Sequence, residues 1–137
     1  MATVLIIEDN LANMKLASLL LRSAGHTVLA AVDAETGMAL AHAAQPDLIL
    51  MDIQLPGMDG LAATALLKQD PATAAIPVIA LTAMAMKADK LKSQIAGCDA
   101  YIAKPLRYQE LYAVIDALLA RVKRQAPAAL LPSHPAP

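Results

Sequence analysis

The chain contains no tryptophan, no phenylalanine and only three tyrosines in 137 residues. A core must therefore be assembled from Leu, Ile, Val, Ala and Met. Cysteine is nearly absent too. Cys98 stands alone, which excludes an internal disulfide, fits a reducing compartment and reads as a packing residue rather than a redox thiol. No apolar run approaches the roughly 20 residues of a membrane span. No basic segment followed by an apolar stretch opens the chain, so a secretory signal is not expected and a cytoplasmic location is. The formal net charge of −1 disfavours wholesale binding to nucleic acid.

What remains is abundant apolar material, 58% of the sequence, arranged as short runs alternating with helical patterns. That is enough for one domain with a real core. Strands are predicted at 3–7, 27–31, 48–51, 77–81 and 101–103. Their short, unbroken apolar content suits strands buried on both faces. Helices are predicted at 11–24, 34–44, 61–68, 86–96 and 108–123. Asn10 and Asp33 are placed to cap the first two, and Gly25 and Gln45-Pro46 to end them. In the first helix Leu11, Met14, Leu16, Leu19, Leu20 and Leu21 make a wide apolar stripe. The pattern is (βα)5, an α/β fold with a doubly wound, five-stranded parallel sheet in the order 2-1-3-4-5. Such a sheet binds ligands at the carboxyl ends of strands 1 and 3, where the strand order reverses. Residues 1–124 form this domain. Residues 125–137, QAPAALLPSHPAP, read as a disordered Pro/Ala-rich tail.

Polar residues end four of the apolar runs. The first ends in Glu8-Asp9, the third in Asp52, the fourth in Thr82 and the fifth in Lys104-Pro105. In a parallel sheet these ends share one edge, bringing together three carboxylates, a hydroxyl and an ammonium. Two carboxylates about 4 Å apart repel by roughly 4 kcal/mol at an effective dielectric of 20. Such a cluster takes up protons or holds a cation. Hard oxygen donors open to water suit Mg²⁺, and Lys104 and Thr82 supply a charge and a hydroxyl for phosphoryl oxygens. Asp52, on the central strand, is the best-placed nucleophile. An isolated acid at a strand end often only caps the next helix; it is the joint occurrence at four ends that favours a site. His26, His42 and His134 lie outside the constellation and read as surface residues, and Met58, Met84 and Met86 as packing residues. Tyr101 by pattern alone reads more readily as core than as functional.

The segments VLIIEDN (4–10), PDLILMDIQLPGMDG (46–60), PVIALTA (77–83) and GCDAYIAKP (97–105) together resemble the receiver domain of two-component response regulators. The resemblance covers about residues 1–123 and is especially marked to single-domain regulators of the DivK type and to receivers of hybrid kinases. It implies a flavodoxin-like receiver fold with Asp52 as the phosphoacceptor. It implies Mg²⁺ ligation by Asp9, Asp52 and the backbone carbonyl of Gln54, with Glu8 acting mostly through metal-bound water. Thr82 and Tyr101 would be the switch pair, Lys104 the phosphate-binding lysine, and Pro105 would follow a cis peptide. The implied donor is the phosphohistidine of a sensor kinase or a histidine phosphotransfer protein. The implied output is a downstream protein partner reading the surface of the fourth helix, fifth strand and fifth helix. The implied state is a monomer or a weak phosphorylation-dependent dimer, acting as a signalling phosphoacceptor rather than a turnover enzyme.

Charge is unevenly divided. Residues 1–70 hold eight acids and three bases, while residues 71–137 hold four acids and eight bases. Two readings of the excess of bases stand: solvated helix faces, or a basic docking face within Lys87–Arg124. Met84, two positions beyond Thr82, cannot orient water by hydrogen bonding, which predicts a phosphoryl lifetime of minutes or longer. Strand 1 beginning at once after Met1-Ala2, and the Pro-rich end of the chain, lead to an expectation of a free-standing regulator. The alternatives are a receiver cut from a hybrid kinase, a scaffold independent of phosphorylation, and a hydrolase of the haloacid dehalogenase type. The last wants an acid where Gln54 stands.

Overall fold

The computed structural model describes residues 2–82 and 96–130, the last nine of them, 122–130, as helical backbone. Five strands, β1 (Thr3–Ile7), β2 (Thr27–Ala31), β3 (Leu48–Asp52), β4 (Val78–Thr82) and β5 (Ala100–Ala103), form one parallel sheet in the order β2-β1-β3-β4-β5. Four helices are described, α1 (Leu11–Ser23), α2 (Ala34–Ala44), α3 (Gly60–Gln69) and α4 (Tyr108–Leu130). The expected helix over 86–96 lies outside the described residues except for its last position. So do Met84, Met86, Lys87 and Lys90.

The two-residue period of a strand sorts alternate side chains onto opposite faces. Val4, Ile6, Leu48, Leu50, Ile79, Leu81 and Ile102 point to one layer, which α1 covers with Met14, Ala17 and Leu21 and α4 with Leu111, Ile115 and Leu118. Leu5, Ile7, Ile49, Met51 and Val78 point to the other, covered by Ala34 and Ala41 of α2 and Ala63 and Leu67 of α3. Every residue of β3 and β4 is buried, which is why both read as continuous apolar runs.

Helix starts follow the sequence closely. The Asn10 side chain accepts from the Asn13 N–H, Asp33 from Thr36 and Asp59 from Ala62, at 2.9, 2.7 and 2.8 Å. The hydrogen bond from Thr36 holds the Asp33 carboxyl below its usual range. Three expectations need correction. The broad apolar stripe of α1 is only partly used: Leu11, Leu16 and Leu19 remain exposed, because the sheet accepts just the narrow line through Met14, Ala17 and Leu21. His26 is half-buried rather than a surface residue, and its Nδ1 accepts from the Ala2 N–H at 3.1 Å. Finally, α4 continues to Leu130 instead of stopping at Lys123. The run Arg121–Ala126 is rich in helix formers. The rest of the predicted tail, 131–137, lies outside the described residues.

One polar hub ties the end of the fold opposite the strand termini. Asp99 Oδ2 accepts from the Val78 N–H at 2.8 Å and from Lys68 Nζ at 3.0 Å, and its Oδ1 from Arg121 at 2.9 Å. Lys68 also donates to the carbonyls of Ala74 and Ile76. A single carboxylate thus joins α3, β4, the start of β5 and α4. Burial alone would raise the Asp99 pKa, but the Val78 hydrogen bond and the two cations outweigh it and hold the group below its ordinary value. A depressed carboxylate pKa stabilises the fold above the usual carboxylate range, and the benefit is lost as pH falls through the lowered value. Asp99→Ala should therefore cost about 2 kcal/mol at neutral pH in urea denaturation. The difference between wild type and Asp99→Asn should shrink in the acid limb of a stability–pH curve.

Candidate functional site

Parallel pairing places the polar strand ends on one rim. Ile7 pairs with Met51, Asp52 with Leu81, and Thr82 with Ala103. Asp52 and Thr82 are thus at paired positions, Glu8 and Lys104 one step beyond and Asp9 two steps beyond. Backbone bonds lock the exits: Glu8 N–H to Ala31 O at 3.0 Å, Ile53 N–H to Leu81 O at 3.0 Å and Lys104 N–H to Thr82 O at 2.6 Å.

On this rim Lys104 Nζ lies 2.7 Å from Glu8 Oε1 and 3.3 Å from Asp52 Oδ2. Carboxylate oxygens of Glu8, Asp9 and Asp52 come within 4.8 Å of one another. Glu8 and Asp52 are buried, whereas Asp9 is exposed. The Asp52 carboxylate is aimed by the Gln54 N–H, which donates to Oδ1 at 2.9 Å, and the Asn10 N–H donates to Glu8 Oε2 at 3.2 Å. Thr82 is fully buried at the end of β4, and Tyr101 is half-buried opposite Ala80. The Lys104–Pro105 peptide is cis.

Three carboxylates facing one ammonium leave uncompensated negative charge. Burial, then the hydrogen bond and charge of Asp52, push the Glu8 pKa up to about 7 against the opposing pull of Lys104. Desolvation would lower the Lys104 pKa, but its bond to Glu8 and the charges of Asp52 and Glu8 overcome this and raise it. Lys104 is therefore a firm cation that neutralises one carboxylate and leaves the others in need of a proton or a metal. All the converging donors are hard oxygens, one of them solvent-facing, and this set fits a divalent cation that retains water.

Gly60 contributes to the site in a way that the sequence reading treated only as turn chemistry. A Cβ at Gly60 would collide with the Asp52 carbonyl oxygen and lie 2.6 Å from Ile53 Cα. Its N–H donates to Ile53 O at 3.1 Å, and the buried Thr64 hydroxyl donates to its carbonyl at 2.8 Å. The start of α3 is thereby pressed against the strand that carries Asp52. The Gly-Met-Asp-Gly run held the signal, but nothing local identifies the backbone it must approach. Cys98 sits away from the rim, packed against the α2–α3 layer with its Sγ 3.9 Å from the Thr64 hydroxyl, and burial pushes its thiol pKa up.

A five-stranded 2-1-3-4-5 sheet with an acidic rim and a facing lysine defines an α/β protein of the receiver class. The family model for the response regulator receiver domain matches residues 4–116, and the chain belongs to that family. It is 43% identical over 117 residues to the polar-differentiation response regulator DivK of Brucella anthropi, covering 85% of this chain and 95% of that protein. It is also 43% identical over 124 residues to the DNA-binding dual master transcriptional regulator RpaA of Synechocystis sp.. That match takes in 90% of this chain but only 52% of RpaA, so the chain spans about half of that relative. Among solved structures it resembles a putative response regulator from Chloroflexus aurantiacus, with a TM-score of 0.84 and 33% identity over 87% of this chain and 98% of that one. The receiver domain of the sensor histidine kinase PA1611 from Pseudomonas aeruginosa matches with a TM-score of 0.81 and 33% identity, over the same shares of the two chains. That structure has a magnesium ion coordinated in its active site cleft.

Gly60→Ala should shift the strand that carries Asp52, lowering stability by about 2 kcal/mol. Ala at position 57, where a Cβ meets nothing within 4 Å but φ is +76°, should cost less. Paired thermal melts would check the order.

Proposed function

We propose that this chain is a single-domain response regulator of the cytoplasm, a phosphoacceptor whose Asp52 takes a phosphoryl group from a phosphohistidine. The supporting observation is Lys104 Nζ held between Glu8 and Asp52, beside an acid cluster within 4.8 Å. Asp9, Asp52 and the Gln54 carbonyl would hold Mg²⁺, with Glu8 reaching it through water. When bound, the ion neutralises carboxylate and phosphoryl oxygens on this crowded rim.

The residues divide the work. A carboxylate oxygen of Asp52 attacks phosphorus, the P–N bond to the donor imidazole breaks, and its electron pair returns to the ring. Lys104, freed from one carboxylate partner, faces a phosphoryl oxygen. The Thr82 hydroxyl donates to another, and the half-buried Tyr101 on the next strand takes up the space that Thr82 leaves. Packing in such a core is close, so a small displacement changes the surface that a partner meets. The basic segment Lys87–Arg124 would form that partner face.

The donor must be a protein surface able to reach the rim. Leu16 and Asn13 of α1 meet Pro105 and Leu106 around a small cavity that also touches Glu8 and Lys104, and Leu19 and Leu11 stand exposed on the same helix. An apolar apron beside an anionic centre suits a helical partner that carries its phosphohistidine to Asp52. A DNA-binding output of the kind named for RpaA is not part of this proposal. No helix among the described residues is long and apolar enough to cross a membrane.

Incubation with a panel of phosphorylated kinases and phosphotransfer proteins should label the wild type in the presence of Mg²⁺ and not Asp52→Asn. Chelation by EDTA should abolish transfer. A wild type that no competent donor labels would favour the phosphorylation-independent scaffold. Leu16→Asp should slow transfer about tenfold or more, chiefly through weaker donor binding, while leaving labelling by a small phosphodonor intact. The phosphorylated form should decay with a half-life of minutes or longer, and decay within a few seconds would contradict the role read for Met84.

A further inference from the structure

On the face of the sheet away from α1 and α4, helices α2 and α3 leave a groove of about 280 Å³ between them. Its walls are Met38, Ala39 and His42 from α2 and Leu66, Leu67 and Asp70 from α3 and its end. The site chemistry uses none of these residues. Because each helix starts near the strand termini and runs back along the sheet, these residues of the later turns lie toward the opposite end from the acidic rim.

Three features of this face belong together. First, it is poor in charge. The only ionisable residues of α2 are Glu35 and His42, and the only one of α3 is Lys68, which is committed to Asp99 and two carbonyls. The outward positions Ala39, Ala43 and Ala62 are exposed and small, so a second helix pair can approach closely. Second, a knob stands beside the hole. Leu66 is 45% exposed at the rim of the groove and is the one large apolar side chain so exposed on α2 and α3. Third, besides Thr73, whose hydroxyl donates to the Leu67 carbonyl, the groove has two ionisable residues, His42 and Asp70, which sit on opposite walls. Asp70 is fixed by the Ala72 N–H, which donates to its Oδ1 at 2.9 Å, and His42 lies in the last turn of α2. Among the described residues no ion pair joins them within one copy.

A two-fold interface requires a patch that complements itself, with each contact made twice. A hole, an adjacent knob, and a donor and an acceptor on facing walls meet that requirement. We infer that the occupant of the α2–α3 groove is a second copy of this chain. Leu66 of each copy enters the groove of the other, and His42 of each faces Asp70 of its partner. The rim carrying Asp52 stays uncovered, so this dimer forms whether or not Asp52 is phosphorylated. It is distinct from any dimer made through the basic face.

Sedimentation equilibrium of the full chain, loaded from about 10 µM to about 1 mM, tests this. Wild type should show a monomer–dimer equilibrium with a dissociation constant of about 1–100 µM. Leu66→Glu should weaken it about tenfold or more by forcing a charge into the groove, with far-UV circular dichroism and labelling of Asp52 unchanged. Asp70→Lys should weaken association similarly, and adding His42→Asp to it should restore the constant to within about threefold of wild type. Leu19→Glu, on the other layer, should leave the equilibrium unaltered. A wild type monomeric at about 1 mM would overturn the inference. So would a folded Leu66→Glu variant that dimerises as well as wild type, or a double variant no better than Asp70→Lys alone.

Discussion

The shortage of positive charge at one end of the sheet is the constraint on which the site depends. Glu8 and Asp52 are buried, Asp9 stands beside them, and Lys104 supplies the facing ammonium. In water such a cluster would disperse. Here backbone bonds at the strand exits hold Glu8, Lys104 and Ile53, the residue after Asp52, so the repulsion is retained instead of relaxed. A group that brings both a cation and anionic oxygens matched to Lys104 relieves it. In the function proposed, affinity for a metal and readiness to accept a phosphoryl group would have one electrostatic origin.

The remainder of the fold keeps that rim rigid. Continuous apolar strands bury β1, β3 and β4 on both faces, and parallel pairing sets their ends level. Gly60 lets α3 press directly on the strand bearing Asp52. At the far end, Asp99 gathers β4, β5, α3 and α4 through three charge-assisted bonds. The two polar centres differ in kind. Asp99 has donors enough for its oxygens and serves structure. The rim has too few cations for its carboxylates. Membership of the response regulator receiver family places this chain among proteins built around such a rim.

The surfaces divide into apolar and charged regions that neither core layer required. Exposed Leu11, Leu16 and Leu19 on α1 adjoin the rim, whereas exposed Leu66 adjoins a groove remote from it. Apolar side chains on opposite layers of a small domain allow two contacts at once, since neither would cover the other.

Much of this was legible in the residues themselves. Short apolar runs ending in Glu8-Asp9, Asp52, Thr82 and Lys104 determine both the strand order and the acidic rim, because parallel crossovers permit few arrangements and all four ends must then share an edge. Caps at Asn10 and Asp33 were readable for the same local reason: a side-chain oxygen satisfies an N–H three residues on. Local pattern could not decide which leucines of α1 would be buried, since the helix offers a wider stripe than the sheet accepts. Nor could it foresee that His26 would receive the Ala2 N–H, that Gly60 would meet the backbone of Asp52, or that Asp99 would join Lys68 to Arg121. Those contacts link residues distant in sequence, and only the packed layers bring them within bonding distance.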